Sequence, residues 1–196
     1  MLNIKKKIQS TSNFFFIVAL IVVGILTSCS ESKETSKYDN WQEKNETFID
    51  SLATVVENGT DSSLKKLVPI SSDNRYFVYY KVKESGPTTD NEGKAIQSPF
   101  YTSKVSVFYR GTLINNEFFD GNFSGTNPNT DFEIPMTFDV YKLVNGWTEV
   151  LQHMVPGDRW TIYIPYQLGY GKSGSNKIPG YSTLIFDIKL VGITEY

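Results

Sequence analysis

Residues 145–160 read NGWTEVLQHMVPGDRW, and this stretch decides how the second half of the chain folds. Pro156 and Gly157 end a helical pattern, and at Trp160 the apolar period changes to two. The apolar residues before that point recur at i, i+3, i+4 and i+7, the spacing of one helix face; they are Trp147, Val150, Leu151 and Met154. The stretch therefore predicts one short helix followed by a strand.

Alternating apolar and polar residues predict further strands on both sides of this helix. Upstream the alternation covers 76–83 and 105–109, which are separated by turn-forming residues at 85–99. Downstream it covers 160–164 and 184–190. Together the segments predict an antiparallel sheet of about five or six strands with one short helix packed on it, which is an α+β domain.

The N-terminus has the pattern of an export signal. Three lysines at 5–7 precede an apolar run at 14–26, too short for the roughly 20 residues of a spanning helix. Leu26-Thr27-Ser28-Cys29 then resembles the lipobox of bacterial lipoproteins. We therefore expect a lipoprotein signal peptide at 1–28 and a flexible tether at 29–38 that is lipidated on Cys29. The alternative is a buried or free Cys behind a signal anchor.

A helix is predicted between this tether and the sheet. Apolar residues recur at helical spacing from Asp39 to Glu57, Asp39 can cap the start, and Asn58-Gly59 supplies the stop. The predicted organisation is a helical appendage at 39–72 followed by the main domain at 73–196. The apolar stripe of the helix favours packing on that domain, although a partner site remains open.

The composition restricts the possible chemistry. The 196 residues contain one Cys and one His, His153, and carry a formal net charge of −2. These counts exclude an internal disulfide, a multi-cysteine metal site and a two-histidine metal site. They also leave a Ser-His-Asp triad little freedom. A mildly acidic chain gives no electrostatic reason to expect nucleic acid as a partner.

Five segments that occur in order resemble the FKBP-type peptidyl-prolyl cis-trans isomerases. The resemblance runs from about Tyr76 to Ile193 and implies a sheet half-wrapped around the short helix. With the lipobox and the helical appendage, the arrangement also resembles exported isomerase lipoproteins of Bacteroidetes-type bacteria. The segments are VFYRG (107–111), FFD (118–120), NGWTEVLQHMVPGDRW (145–160), LGYG (168–171) and IPGYSTLIFDIKL (178–190).

The resemblance implies three catalytic residues. Asp120 would be a buried carboxylate close to the twisting amide, and the hydroxyl of Tyr109 would orient it. The Tyr170 hydroxyl would bind the substrate carbonyl at the rim. The purely structural alternative for Asp120 is a cap or turn residue.

The resemblance also implies a substrate-binding pocket. Trp147 would form its floor, and Met136 stands where the family often has an aromatic wall residue, which would loosen the pocket. Asp187 alternates with a wall residue and is expected to face away. Outside the family pattern the aromatic residues would be assigned to the core. The other implied substrate-binding residues are Phe119 and Phe186 as walls, Leu143 and Val144 as a pair with a backbone hydrogen bond to substrate, and Ile178 at the rim.

The implied function is isomerisation of X–Pro bonds in exported polypeptides, without a metal or cofactor. The implied partners are proline-containing polypeptides and, through the lipid on Cys29, a membrane; nucleic acid is not expected. The implied location is the cell envelope, on the outer membrane facing the periplasm. Two alternatives remain: a non-catalytic chaperone or binding module that uses the same groove, and a docking component of an envelope machine such as a motility machine, attached through the 39–57 helix.

Overall fold

The computed structural model describes residues 36–68 and 75–196. The predicted signal peptide and Cys29 lie outside this part of the chain, as does most of the tether. Two compact units divide at Asp39, and the second runs from Asn40 to Tyr196. Within the described residues, no helix is both long enough and apolar enough to cross a membrane.

The predicted N-terminal helix forms as α1, Trp41–Asn58. Asn40, in the left-handed conformation and without a side-chain cap, precedes it, so the prediction of Asp39 as the cap is wrong. Gly59 ends the helix at a φ of 63°, a conformation that glycine adopts without the Cβ penalty of other residues. The two buried residues of α1, Trp41 and Asn45, both lie in its first turns. Only the N-terminal part of the helix is therefore deeply packed.

In the described part of the chain, seven strands form one antiparallel sheet. Their order is β1-β2-β6-β7-β3-β4, and β5 also pairs with β3. The strands are β1 Leu64–Leu67, β2 Val78–Glu84, β3 Lys104–Thr112, β4 Phe118–Gly121, β5 Met136–Asp139, β6 Arg159–Ile164 and β7 Leu184–Glu195.

The short helix packs on the apolar face of this sheet as α2, Asn145–Leu151. Gly146 allows the close approach, because a Cβ on this residue would lie 2.4 Å from a side-chain carbon of Ile164 in β6. Thr148 Oγ1 donates to the carbonyl of Val140 at 2.9 Å and ties α2 to the 3-10 turn Val140–Lys142. The α+β architecture is therefore as predicted, with the helix beginning two residues before the first apolar position.

α1 lies against the opposite face. Its Phe48 ring contacts Tyr163 at a centroid distance of 6.0 Å, and Tyr163 alternates with the buried Ile162 and Ile164 of β6.

The sheet has more strands than the sequence predicted. β4 and β5 have four residues each, which is too short for alternation to be distinguished from a loop. β1 lies inside the segment predicted as a helical appendage at 39–72 and pairs with β2. Its sequence LKKL has two buried leucines flanking two exposed lysines, a pattern that does not alternate.

Candidate active site

The site is built around a hydrogen bond between two adjacent strands. Tyr109 in β3 donates its hydroxyl to Asp120 Oδ2 in β4 at 3.0 Å. The other carboxylate oxygen of Asp120 accepts the backbone N–H of Gly121 at 2.9 Å. The carboxylate is therefore held at two points, in the orientation expected from the sequence.

Asp120 is more open to solvent than expected. The sequence resemblance implied a buried carboxylate, whereas Asp120 is exposed. The reason is its strand: β3 is the only strand that pairs with β4 in the described sheet, so β4 forms an edge. Asp120 thus lies at the mouth of the site, and the neighbouring Phe119 is buried.

Aromatic rings form the interior of the site. Trp147 is buried and meets the Tyr109 ring edge-on at 5.4 Å and the Phe186 ring edge-on at 5.1 Å. Phe119 meets Phe186 edge-on at 5.3 Å. Each pair has the T-shaped arrangement that aromatic quadrupoles favour. The structure therefore brings together the predicted floor and walls, Trp147, Phe119 and Phe186, with the ring of Tyr109.

Phe138 is a fifth aromatic residue, which sequence reasoning missed. It lies in β5 and meets Tyr109 at 5.6 Å and Trp147 at 6.2 Å, both edge-on. Its position two residues after Met136 places both side chains on one face of the strand, and that alternation was the available signal.

Gly111 is required where the two walls meet. A Cβ on this residue would lie 2.6 Å from Phe119 Cζ and 2.7 Å from Phe186 Cε1. Gly111 pairs with Asp120 on one side and with Phe186 on the other, so the absence of a side chain lets both rings approach the strand. This glycine stands within the VFYRG segment, but no role was expected for it from the sequence.

The rim encloses a cavity of about 330 Å³. Phe119 and Asp120 of β4, Tyr170 and Ile178 line it. Tyr170 is 40% exposed, whereas Ile178 is buried. The remaining lining residues are Ser175, Asn176 and Lys177 of the rim loop.

Of the predicted substrate-binding residues, Phe119 and Ile178 line this cavity. The others do not line it; they are Trp147, Phe186, Met136, Leu143 and Val144. Met136 is 44% exposed, and its Sδ lies 3.8 Å from the Tyr109 hydroxyl. Leu143 and Val144 are half-buried and directly precede α2. The Leu143 N–H already donates to the Val140 carbonyl at 3.2 Å, so the backbone donor expected from this pair falls on Val144.

Burial and the neighbouring carboxylate keep the site tyrosines neutral. The pKa of Tyr109 is raised by burial first, and then by its hydrogen bond to Asp120 and the charge of that carboxylate. The pKa of Tyr170 is raised by burial and by Asp120. Both hydroxyls therefore remain proton donors throughout the physiological pH range.

Other sequence expectations concern residues outside the cavity. His153 is exposed, in agreement with its having no assigned role. Asp187 lies on the opposite face, where it accepts hydrogen bonds from Arg159 at 2.7 and 2.8 Å. Among the described residues, no group of three or more His, Cys, Asp and Glu is placed to hold a metal ion.

Comparison with known proteins points to the same family. Residues 97–191 match the model of the FKBP-type peptidyl-prolyl cis-trans isomerase family. The macrophage infectivity potentiator of Trypanosoma cruzi is 38% identical over 104 residues, which cover 53% of this chain and 50% of that protein. The peptidyl-prolyl cis-trans isomerase Mip of Coxiella burnetii is 36% identical over 117 residues, 59% of this chain and 44% of that protein.

Solved structures agree on the fold. The crystal structure of FkpA from Escherichia coli has a TM-score of 0.59 and 25% identity, and covers 98% of this chain and 72% of that one. The crystal structure of a peptidyl-prolyl cis-trans isomerase from Pseudomonas syringae has a TM-score of 0.57 and 22% identity, and the match covers 82% of this chain and 98% of that one. At this identity the match supports the fold alone.

An antiparallel sheet closed on a short helix, with an aromatic pocket beside Tyr109 and Asp120, defines the class of this domain. Residues 97–191 are similar to the FKBP-type peptidyl-prolyl cis-trans isomerases, and the resemblance inferred from the sequence is supported over that part of the chain. The chain spans about half the length of the two curated relatives described above.

Proposed function

We propose that the protein catalyses the cis–trans isomerisation of X–Pro peptide bonds. The observation that carries the proposal is the 3.0 Å hydrogen bond between Tyr109 and Asp120, beside the cluster of aromatic rings that includes Trp147. A groove that only binds polypeptide has no need of an oriented carboxylate at that point. The name of the Coxiella burnetii relative supports the same activity.

The chemistry requires a suitable environment rather than a nucleophile. Rotation about an X–Pro bond crosses a barrier of about 18–20 kcal/mol, because the amide loses its conjugation at the twisted midpoint. The twisted amide is less dipolar than the planar one. An aromatic pocket that excludes water therefore favours the twisted form over the planar form, relative to solution.

Polar groups at the pocket mouth would hold the substrate while the proline ring turns. Asp120 would lie beside the twisting amide, with Tyr109 fixing its orientation. The neutral hydroxyl of Tyr170, which lines the same cavity as Asp120, would donate a hydrogen bond to a substrate carbonyl. The Val144 N–H would donate a second one from the start of α2.

The test is the rate of cis-to-trans conversion of short Xaa-Pro peptides with the protein and with Asp120→Ala. We expect the protein to accelerate the conversion and the variant to lose about tenfold or more of kcat/KM, the scale of a lost electrostatic contact in a transition state. Acceleration that is unchanged in the variant would leave the activity and overturn the role of Asp120. No acceleration by the folded protein, with several different residues before Pro, would overturn the proposal.

That last outcome would favour the second candidate, a non-catalytic chaperone or binding module. The exposed rim residues Met136 and Tyr170 favour it, because they offer apolar surface to a polypeptide. Docking to an envelope machine through residues 39–57 stays a prediction. Trp41 and Asn45 already pack on the chain's own domain, so a partner would have to use the remaining surface of α1.

We further propose that the protein is an exported lipoprotein of the Bacteroidetes kind, held by a lipid on Cys29. It would act in the cell envelope, on the outer membrane facing the periplasm. The support is the order of the basic segment, the short apolar run and the Leu-x-x-Cys sequence. Mass spectrometry of the mature N-terminus tests whether Cys29 carries a lipid. Membrane fractionation of Cys29→Ala tests the anchoring, because the variant should no longer be found in the membrane fraction.

A further inference from the structure

An exposed apolar strip leads away from the pocket. Phe132 is 85% exposed and Ile134 is 80% exposed, the highest values among the large hydrophobic residues of the described chain. Met136 continues the series at every second residue, and its Sδ lies 3.8 Å from the Tyr109 hydroxyl. We call these three residues the apolar strip. One end of it is therefore part of the proposed active site.

Hydrogen bonds of the residue between them turn Phe132 and Ile134 outward. The Glu133 carboxylate accepts the backbone N–H groups of Ser124 at 2.7 Å and Asn129 at 2.6 Å. These bonds lower the pKa of Glu133, so the carboxylate stays ionised and pinned to the loop at neutral pH. Phe132 lies in the turn that closes on the Asn129 carbonyl, and with Glu133 held inward Phe132 and Ile134 are left facing solvent.

Asn122 fixes the strip to the strand that carries Tyr109. Its Nδ2 donates to the Ile134 carbonyl and to the Val107 carbonyl, each at 3.0 Å. Its Oδ1 accepts the Tyr109 N–H at 2.7 Å. The Asn122 side chain therefore holds both the exposed strip and the catalytic tyrosine in place. The exposure of the strip is thus fixed by the same hydrogen bonds that position Tyr109.

The geometry points to the apolar strip as a binding surface for the part of an unfolded polypeptide that flanks the isomerised proline; this inference rests on the proposed function and names its substrate class. Phe132 in its turn, Ile134 after it and Met136 at the start of β5 together offer an exposed apolar surface that adjoins the pocket. Exposed apolar patches of this kind mark sites where polypeptide binds. Continuity with the pocket through Met136 selects this occupant over an unrelated partner.

The strip also lies next to an unpaired sheet edge. β5, which begins at Met136, has β3 as its one strand partner in the described sheet. The outer edge of β5 can therefore offer backbone hydrogen bonds to an extended chain. A substrate that is apolar on both sides of its proline would use the strip, whereas a tetrapeptide has few residues outside the pocket to place on it.

The test compares two substrates with the full chain and with the double variant Phe132→Ser/Ile134→Ser. One substrate is a proline tetrapeptide, and the other is an unfolded protein whose refolding is limited by prolyl isomerisation. We expect unchanged kcat/KM for the tetrapeptide and a loss of about tenfold for the unfolded protein, because two apolar contacts are removed. The matched control is Phe100→Ser/Tyr196→Ser, which removes two exposed aromatic residues that contact each other elsewhere at 6.0 Å. This control should leave both substrates unaffected.

Three results would overturn the inference. The first is that the Phe132/Ile134 variant and the unaltered protein have the same kcat/KM for the unfolded protein. The second is that the variant loses the same factor of kcat/KM on both substrates. The third is that the unaltered chain self-associates and the variant does not. The last result would assign the strip to a second copy of the chain.

Failure of the proposed function gives a different pattern. If the unaltered protein does not act on the tetrapeptide, binding of a permanently unfolded, carboxymethylated protein decides the matter. Weaker binding by the Phe132/Ile134 variant would then support the strip as a polypeptide surface, and equal binding would overturn it.

Discussion

At the residue scale, the site depends on a glycine as much as on its aromatic rings. Gly111 lies between the rings of Phe119 and Phe186, and its missing Cβ leaves the space that both occupy. Neither ring can move freely, since both are buried. The position of the pocket walls therefore depends on a residue that has no side chain.

This arrangement predicts a specific effect of Gly111→Ala. The added methyl group would displace both rings, so we expect a loss of about 1–3 kcal/mol in the free energy of unfolding and at least a tenfold loss of peptide kcat/KM. Urea denaturation and peptide kinetics measure the two effects. Gly192→Ala in β7 is the control, because a Cβ on that residue would meet no atom within 4 Å beyond its chain neighbours, and both quantities should be unchanged. A fully active Gly111→Ala protein would contradict the account of the walls.

The residues of the site were predictable to different degrees. Tyr109, Asp120 and Trp147 stand in segments distinctive enough to resemble a family, and the structure brings them together. The exposure of Asp120 was not predictable, because it depends on β4 being an edge strand. Asn122 was not identified either, because its hydrogen bonds reach residues 12 and 15 positions away.

At the element scale, α1 is joined to the rim of the site by a chain of hydrogen bonds. Trp41 Nε1 donates to Ser182 Oγ at 2.9 Å, and that hydroxyl donates to the Pro179 carbonyl at 2.6 Å. Asn45 adds a second anchor, since its Oδ1 accepts the Thr183 N–H at 2.7 Å. Pro179 directly follows Ile178, which lines the cavity. The helix therefore supports the loop that forms one side of the site.

Ser182→Ala tests this support with little change in volume. The variant removes the acceptor of Trp41 Nε1–H and the donor to Pro179, so we expect unfolding to become easier by about 1–3 kcal/mol. We also expect KM for peptide to rise more than kcat falls, because the rim binds substrate. Ser51→Ala on α1 is the control, because this exposed hydroxyl bonds only to Phe48 of its own helix. Equal stability and KM in both variants would show that α1 does not support the rim.

The elements themselves were predictable where their periodicity is long. α1 and the strands near 76–83, 160–164 and 184–190 form close to the expected bounds, since each pattern extends over at least five residues. β1, β4 and β5 each have four residues and carry no such pattern. Their pairing partners in the sheet, rather than local sequence, make them strands.

At the scale of the whole molecule, the two faces of the sheet carry different groups of residues. The apolar face carries α2 and the aromatic pocket, whereas the opposite face carries α1 and an ionic network centred on the buried Arg159. Arg159 contacts Asp187 at 2.7 Å and Glu84 at 3.2 Å, and donates to the Thr126 carbonyl. The network thereby ties the loop after β4 to the back of the sheet. Sequence patterns predicted that Asp187 faces away from the pocket, but not its partner, because Arg159 is 28 residues distant in the chain.

Tyr109 and Asp120 are expected to act as one unit in catalysis, and a double-mutant cycle tests this coupling most directly. The measurement is kcat/KM for a proline tetrapeptide with Tyr109→Phe, Asp120→Asn and the double variant, each checked for folding by urea denaturation. We predict that each single change lowers the rate and that the double variant is no slower than the slower single one, because the hydrogen bond is shared. Losses that multiply in the double variant, or no acceleration by the unaltered protein, would contradict this expectation.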